Sequence, residues 1–222
     1  MKRKLCQWAE IDEILLLFFE KNEIITMHMS TFPVRRKIMR VITGTARGRR
    51  LVTLEGTDTR PTTDRVKEAL FSIIQFEIEG RRVLDLFAGS GQLGIEALSR
   101  GAKSAVFVDG SKKAAEVVKK NLESTGFSKS ASVICGDALA FLKSRSEKFD
   151  IAFLDPPYST GLLQKALEAV PRVMSESGVI ICEAPDTEQV PESAGIFTLQ
   201  KKYRYGKVSL SVYRAAESEA DV

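Results

Sequence analysis

Four consecutive residues, Asp155-Pro156-Pro157-Tyr158, follow the apolar run Ile151-Ala152-Phe153-Leu154 and carry groups suited to holding an aromatic amine. The exocyclic amine of a nucleobase is a poor nucleophile because its lone pair is delocalised into the ring. Methyl transfer onto such a nitrogen therefore requires it to be held while that conjugation is broken. The Asp155 carboxylate and the Pro156 carbonyl can accept its two N–H bonds, and Tyr158 offers a flat face for the base. Two prolines, with φ fixed and no N–H, make the turn stiff. The plainer alternative is a strand that merely ends on Pro-Pro, with Asp155 as a turn carboxylate and Tyr158 as a rim aromatic.

A second pattern upstream bears on that choice. Arg82-Val83-Leu84-Asp85-Leu86-Phe87 reads as a buried parallel strand and runs into Ala88-Gly89-Ser90-Gly91-Gln92-Leu93-Gly94, which opens the helical stretch Ile95 to Ser99. This is Gly-x-Gly-x-x-Gly in the strand-turn-helix setting that a nucleotide-binding loop requires. The next apolar strand, Ala105-Val106-Phe107-Val108, ends at Asp109, about 20 residues beyond the first glycine, where a ribose partner is expected. A third, Ala131 to Cys135, ends at Gly136-Asp137-Ala138 and brings a further carboxylate, able to accept from an adenine amine, to the same crevice. Each acid alone reads as a strand-end turn residue; together they outline one ligand site.

From Met39 to about Arg214 the chain resembles the RsmD-type methyltransferases, which methylate a guanine N2 in small-subunit (16S) ribosomal RNA with S-adenosylmethionine. The matching stretches are Arg40-Val41-Ile42-Thr43-Gly44, the segment Arg60-Pro61-Thr62-Thr63-Asp64-Arg65 through Phe71, the glycine loop, and Asp155 to Tyr158. The resemblance implies that Gly89, Gly91 and Gly94 line the methionine side of the cofactor, with Asp85 near its amino-acid end. It implies Asp109 at the ribose, Asp137 at the adenine, Phe87 and Ala138 beside these acids, and Asp155 to Tyr158 as the catalytic turn at the target base. Gln92, Ser111 and Lys207 depart from the family pattern. Ser111 also reads as the N-cap of a helix from Lys112 to Ser124.

The positioning elements follow from alternation. Strand patterns at Arg82, Ser104, Ala131, Asp150 and Gly178 interleave with helical ones near Gly91, Ser111, Asp137 and Gly161, which predicts βαβ units and a parallel sheet. Ile196 to Tyr203 and Val208 to Arg214 read as an appended hairpin. With the resemblance, the expected fold is α/β, a Rossmann-like class I methyltransferase with a mostly parallel seven-stranded sheet, a C-terminal antiparallel hairpin and an N-terminal β-hairpin extension. A chain of 222 residues, 44% apolar, suffices for one such core.

Between Tyr158 and the closing hairpin there is no room for a large target-recognition domain, so recognition falls to a small surface. The stretch from Arg35 to Arg50 contains Arg40, Arg47, Arg49 and Arg50 among its seven basic residues and no acidic one. A charge run is ordinarily a solvated face, but this one is one-signed and precedes a base-modifying motif, so it predicts a basic hairpin over 40–53 that contacts RNA phosphates. Arg60 and Arg65 serve either RNA or the pocket floor, unless they merely cap and pair at a helix start.

Residues 1–38 precede the resemblance and are either a mis-assigned start, with Met27, Met29 and Met39 downstream, or an amphipathic docking helix. An intact mass beginning at Met1 or Lys2 would exclude the first. Residues 215–222 read as a disordered acidic tail. Glu10, Asp12 and Glu13 interrupt any signal core, and Ile14 to Phe19 is too short to span a bilayer. One histidine, His28, and three scattered cysteines argue against histidine-based catalysis and metal sites and suit a reducing cytoplasm. The expected protein is cytoplasmic and monomeric, without membrane or metal, with ribosomal RNA as partner, naked or in an assembling small subunit. An adenine-N6 methyltransferase and a non-catalytic nucleotide- or RNA-binding module stay open as alternatives.

Overall fold

The structure, a computed structural model, describes residues 16–20, 23–27, 39–54 and 64–215. The chain divides into two compact units, Met1–Ile38 and Met39–Val222. In the first, β1 (Leu16–Glu20) pairs antiparallel with β2 (Glu23–Met27), Leu16 opposite Met27. Leu16–Glu20 and Glu23–Met27 are thus strands, not the helix that the docking alternative for residues 1–38 called for; the rest of 1–38 lies outside the described residues. A short apolar run such as Leu15-Leu16-Leu17-Phe18-Phe19 has no period that separates helix from strand.

The second unit alternates strands and helices. In chain order these are α1 (Asp64–Ile73), β3 (Arg82–Leu86), α2 (Gln92–Ser99), β4 (Ser104–Asp109), α3 (Lys112–Thr125), β5 (Ala131–Cys135) and α4 (Ala138–Ser144). There follow β6 (Phe149–Leu154), α5 (Leu162–Ala169), β7 (Met174–Pro185), β8 (Ser193–Ala194), β9 (Phe197–Tyr205) and β10 (Val208–Ala215). The sheet order is β5-β4-β3-β6-β7-β10-β9-β8, parallel from β5 to β7 and antiparallel beyond. The chain winds outward from β3 to β5 and then returns to β6 on the other side of β3. That reversal opens a crevice above the carboxyl ends of β3 and β6, where ligands bind in such sheets. The Rossmann-like layout is as expected, with two-residue β8 added at the edge to make eight strands.

Side-chain alternation divides the core into two layers. Val83, Phe107, Ile151, Phe153 and Ile181 pack toward α1, α2 and α3, and Phe71 of α1 meets Phe153 edge-on with ring centroids 5.7 Å apart. Leu84, Leu86, Ala152, Leu154 and Ile180 pack toward α4 and α5. Ser111 caps α3 by accepting from the Ala114 N–H, and Gly126 ends that helix at φ 84°.

The basic segment returns on itself, but through one bridge, Arg40 to Arg50, rather than a ladder. Beside that bridge the Val41 N–H donates to the Arg49 carbonyl at 3.0 Å, the Leu51 N–H to the Met39 carbonyl at 2.9 Å and the Gly48 N–H to the Val41 carbonyl at 2.9 Å, while other backbone groups of the segment have partners elsewhere. The Ile42 and Thr43 N–H groups donate to Glu96, at 2.8 and 2.9 Å, while those of Thr45 and Ala46 donate to the Ser99 carbonyl and hydroxyl. Asn121 of α3 binds Val52 through both N–H and carbonyl. Gly44 has φ 85° and a Cβ there would lie 1.7 Å from the Ser99 oxygen, so the segment needs glycine to reach α2.

Candidate active site

Phe87 follows the end of β3 at φ 71°, and its N–H and that of Ala88 both donate to the Val108 carbonyl at 2.9 Å. The Gly89 N–H donates to Asp109 Oδ2 at 2.8 Å, and the Ser111 N–H to Oδ1 at 2.8 Å. The Gly136 N–H then donates to the Asp109 carbonyl. The ends of β3, β4 and β5 are thereby tied together through Asp109.

Of the three loop glycines, Gly89 opens onto space, with no atom within 4 Å of where a Cβ would stand. A Cβ on Gly91 would press on Val118 and Phe107, and one on Gly94 would lie 2.3 Å from the Phe107 ring. The missing side chains of Gly91 and Gly94 thus serve helix-on-strand packing. Asp85, 2% exposed, accepts from the Gly94 N–H at 2.8 Å. Burial lifts its carboxyl to about 7, against the pull of that N–H and with help from the charge of Asp109. Asp137 is exposed and caps α4 through the Ala140 N–H, and Ala138 behind it is buried.

Across the switch point, Leu86 pairs with Leu154 and Leu154 with Cys182, so Phe87, Asp155 and Glu183 begin the next row on β3, β6 and β7. Asp155 is half-buried, Pro156 buried, and Pro157 and Tyr158 exposed. The turn closes at Ser159, φ 60°, and Thr160, whose hydroxyl donates to the Pro157 carbonyl at 2.7 Å. Phe87 and Ser159 are the non-glycine residues of positive φ among the described residues, a conformation costing each about 1–2 kcal/mol, and they flank the crevice. The Tyr158 hydroxyl donates to Glu183 Oε1 at 3.1 Å.

The exposed arginines Arg40, Arg47, Arg49 and Arg50 stand over buried Met39, Val41, Ala46 and Leu51. Arg40 lies 3.7 Å from Asp64. Arg60 and the tail beyond 215 lie outside the described residues. Beneath the segment, Glu96 is fully buried and meets Lys67 at 3.6 Å and Arg100 at 2.9 Å. Burial holds the Lys67 ammonium below the ordinary lysine range, opposed by the adjacent Glu96 charge.

Glu96, Ser99, Asn121, Lys67 and Glu183 escaped the sequence reading. A signal existed for two of them, since Glu96 and Glu183 are lone acids inside apolar runs, Leu93 to Leu98 and Val179 to Ala184. Burial pushes the Cys182 thiol up to about 12, which leaves it unreactive at neutral pH. Among the described residues no acid, histidine and cysteine cluster could hold a metal, and no helix is long and apolar enough to cross a membrane.

The family model described as Conserved hypothetical protein 95 matches residues 39–214. YlbH of Bacillus subtilis (strain 168), provisionally named an rRNA methyltransferase, is 41% identical over 181 residues, covering 79% of this chain and 98% of that protein. Ribosomal RNA small subunit methyltransferase D of Escherichia coli (strain K12) is 33% identical over 186 residues, covering 82% and 93%. Among solved structures, an Escherichia coli protein provisionally named methyltransferase yhhF superposes with a TM-score of 0.72 at 31% identity, over 81% of this chain and 99% of that one.

Proposed function

The chain belongs to the Conserved hypothetical protein 95 family, the RsmD-type methyltransferases, and from that premise we propose that it methylates the exocyclic N2 of a guanine in small-subunit ribosomal RNA, using S-adenosylmethionine. The observation that carries this reading is the adjacency of the glycine loop and the Asp155–Tyr158 turn, on hydrogen-bonded strands at the switch point of the sheet. A donor over one and an acceptor base in the other are neighbours, which is the geometry group transfer needs.

The residues fit the donor. Space for it opens at Gly89, and the buried Asp85 carboxylate is matched to an ammonium. Asp109 is suited to ribose hydroxyls and Asp137 to an adenine amine, with Phe87 and Ala138 beside them. When bound, S-adenosylmethionine supplies a methyl group on a positively charged sulfur. The protein's part is on the acceptor side. Asp155 and the Pro156 carbonyl accept the N–H bonds of the amine and stabilise the positive charge that develops on nitrogen, as preorganised acceptors. Tyr158 carries the extruded base on its ring, and Glu183 fixes the ring by its hydroxyl. Arg40, Arg47, Arg49, Arg50 and Arg60 contact RNA phosphates.

The test is transfer of labelled methyl from S-adenosylmethionine to small subunits and to naked 16S RNA, both from cells lacking the protein, followed by nucleoside identification. A single N2-methylguanosine is expected. N6-methyladenosine would overturn the substrate assignment, and no transfer to either RNA would overturn the reading as a whole.

A further inference from the structure

Glu183 is 5% exposed and is the one charged residue in the run Val179-Ile180-Ile181-Cys182-Glu183-Ala184. Ile181, two residues earlier, packs on the layer under α1, α2 and α3 with Phe153, so alternation sends Glu183 to the same face as Asp155. Because Leu154 pairs with Cys182, Asp155 and Glu183 are next to each other on parallel strands about 4.8 Å apart. The Tyr158 hydroxyl bonds to Glu183 Oε1, which puts this carboxylate at the edge of the ring that carries the base.

We propose that Glu183 selects guanine over adenine, its buried carboxylate accepting the N1–H of the base whose N2 amine is held by Asp155. This rests on the guanine-N2 reading above. On guanine, N1–H and the N2 amine are adjacent donors on one edge, so two adjacent carboxylates match them. On adenine, N1 is an acceptor, and a carboxylate opposite it is repelled and left without its donor. A carboxylate has about four lone-pair sites, so accepting from Tyr158 does not prevent it from accepting the N1–H as well. Glu183 therefore supplies what the Asp-Pro-Pro-Tyr turn lacks, because that turn accepts any exocyclic amine.

The probe is small-subunit RNA carrying 2-aminopurine in place of the methylated guanine. This base keeps the reacting 2-amino group but presents N1 as an acceptor. The wild type is expected to prefer guanine by about 100-fold or more in kcat/KM, and Glu183→Gln, whose amide can donate to N1, to shrink that ratio at least tenfold. Tyr158→Phe, which removes the anchor and keeps the carboxylate, lowers both rates and leaves the ratio in place. An unchanged ratio in Glu183→Gln, or a wild-type ratio near one, overturns the inference. Should Glu183→Gln fail to fold, the same ratio is read in Glu183→Met, which keeps the bulk and removes the acceptor; a ratio unchanged from the wild type overturns the inference, because the loss of O6 in the probe is common to both proteins. Failure of the wild type to form N2-methylguanosine on unmodified RNA would instead overturn the functional reading itself.

Discussion

Asp85 illustrates how one side chain joins stability to ligand binding. Its carboxyl is raised from 3.8 to about 7, so between those values the folded protein holds a proton that the unfolded chain has released. Stability from this group is complete below about 3.8 and is lost as pH rises through about 7, a span of about 3 pH units or on the order of 4 kcal/mol. Denaturation of the wild type from pH 5 to 8 is expected to show that decline against a flatter Asp85→Asn; parallel curves would refute it. An ammonium arriving beside Asp85 expels the proton, so S-adenosylhomocysteine affinity is expected to rise over the same window. Asp109, Asp137 and Asp155 were legible as strand-end acids because spacing after an apolar run is local information, and Asp85 was placed by the resemblance. Glu183 and the titration of Asp85 were not legible, since both depend on what neighbouring strands bring alongside.

Among elements, α2 is the one that joins the glycine loop to the basic segment. It begins in the glycine loop, and its Glu96 accepts from Ile42 and Thr43 while facing Lys67 and Arg100. Glu96→Ala leaves Lys67 buried without its counter-charge. The expected loss is about 3–5 kcal/mol, a Tm fall of roughly 6–20 °C, with faster tryptic cleavage at Arg47, Arg49 and Arg50. Unchanged cleavage would mean that Glu96 does not hold the segment. On β10, by contrast, the buried hydroxyls of Ser209 and Ser211 have no hydrogen-bond partner among the described residues. Ser211→Ala is accordingly expected to be neutral or stabilising in equilibrium denaturation, and a loss above about 1 kcal/mol would contradict this. Strand and helix order was readable from apolar periodicity and from caps such as Ser111. The turning-back of the basic segment was legible from its glycines, whereas its anchors, Glu96, Ser99 and Asn121, are more than 50 residues away in sequence and invisible to a local pattern.

For the whole molecule, a net charge of +4 says little, whereas four exposed arginines on one loop within reach of α2 and α3 form a local positive surface. Replacing Arg47, Arg49 and Arg50 with alanine is expected to weaken RNA binding and lower its salt slope by about 2–3 while leaving S-adenosylhomocysteine affinity intact. An unchanged salt slope would remove this surface from the RNA interface. The Rossmann-like architecture was accessible from alternation and from the resemblance, because each βαβ unit repeats one signal; the site between units required the strand order, which places β6 beside β3. The measurement that bears most directly on the whole account compares wild type and Asp155→Ala in two assays, S-adenosylhomocysteine affinity and methyl transfer to small-subunit RNA. The prediction is an affinity within about threefold of wild type and turnover lower by about 100-fold or more. Turnover near that of the wild type would show that the Asp155–Tyr158 turn does not hold the acceptor.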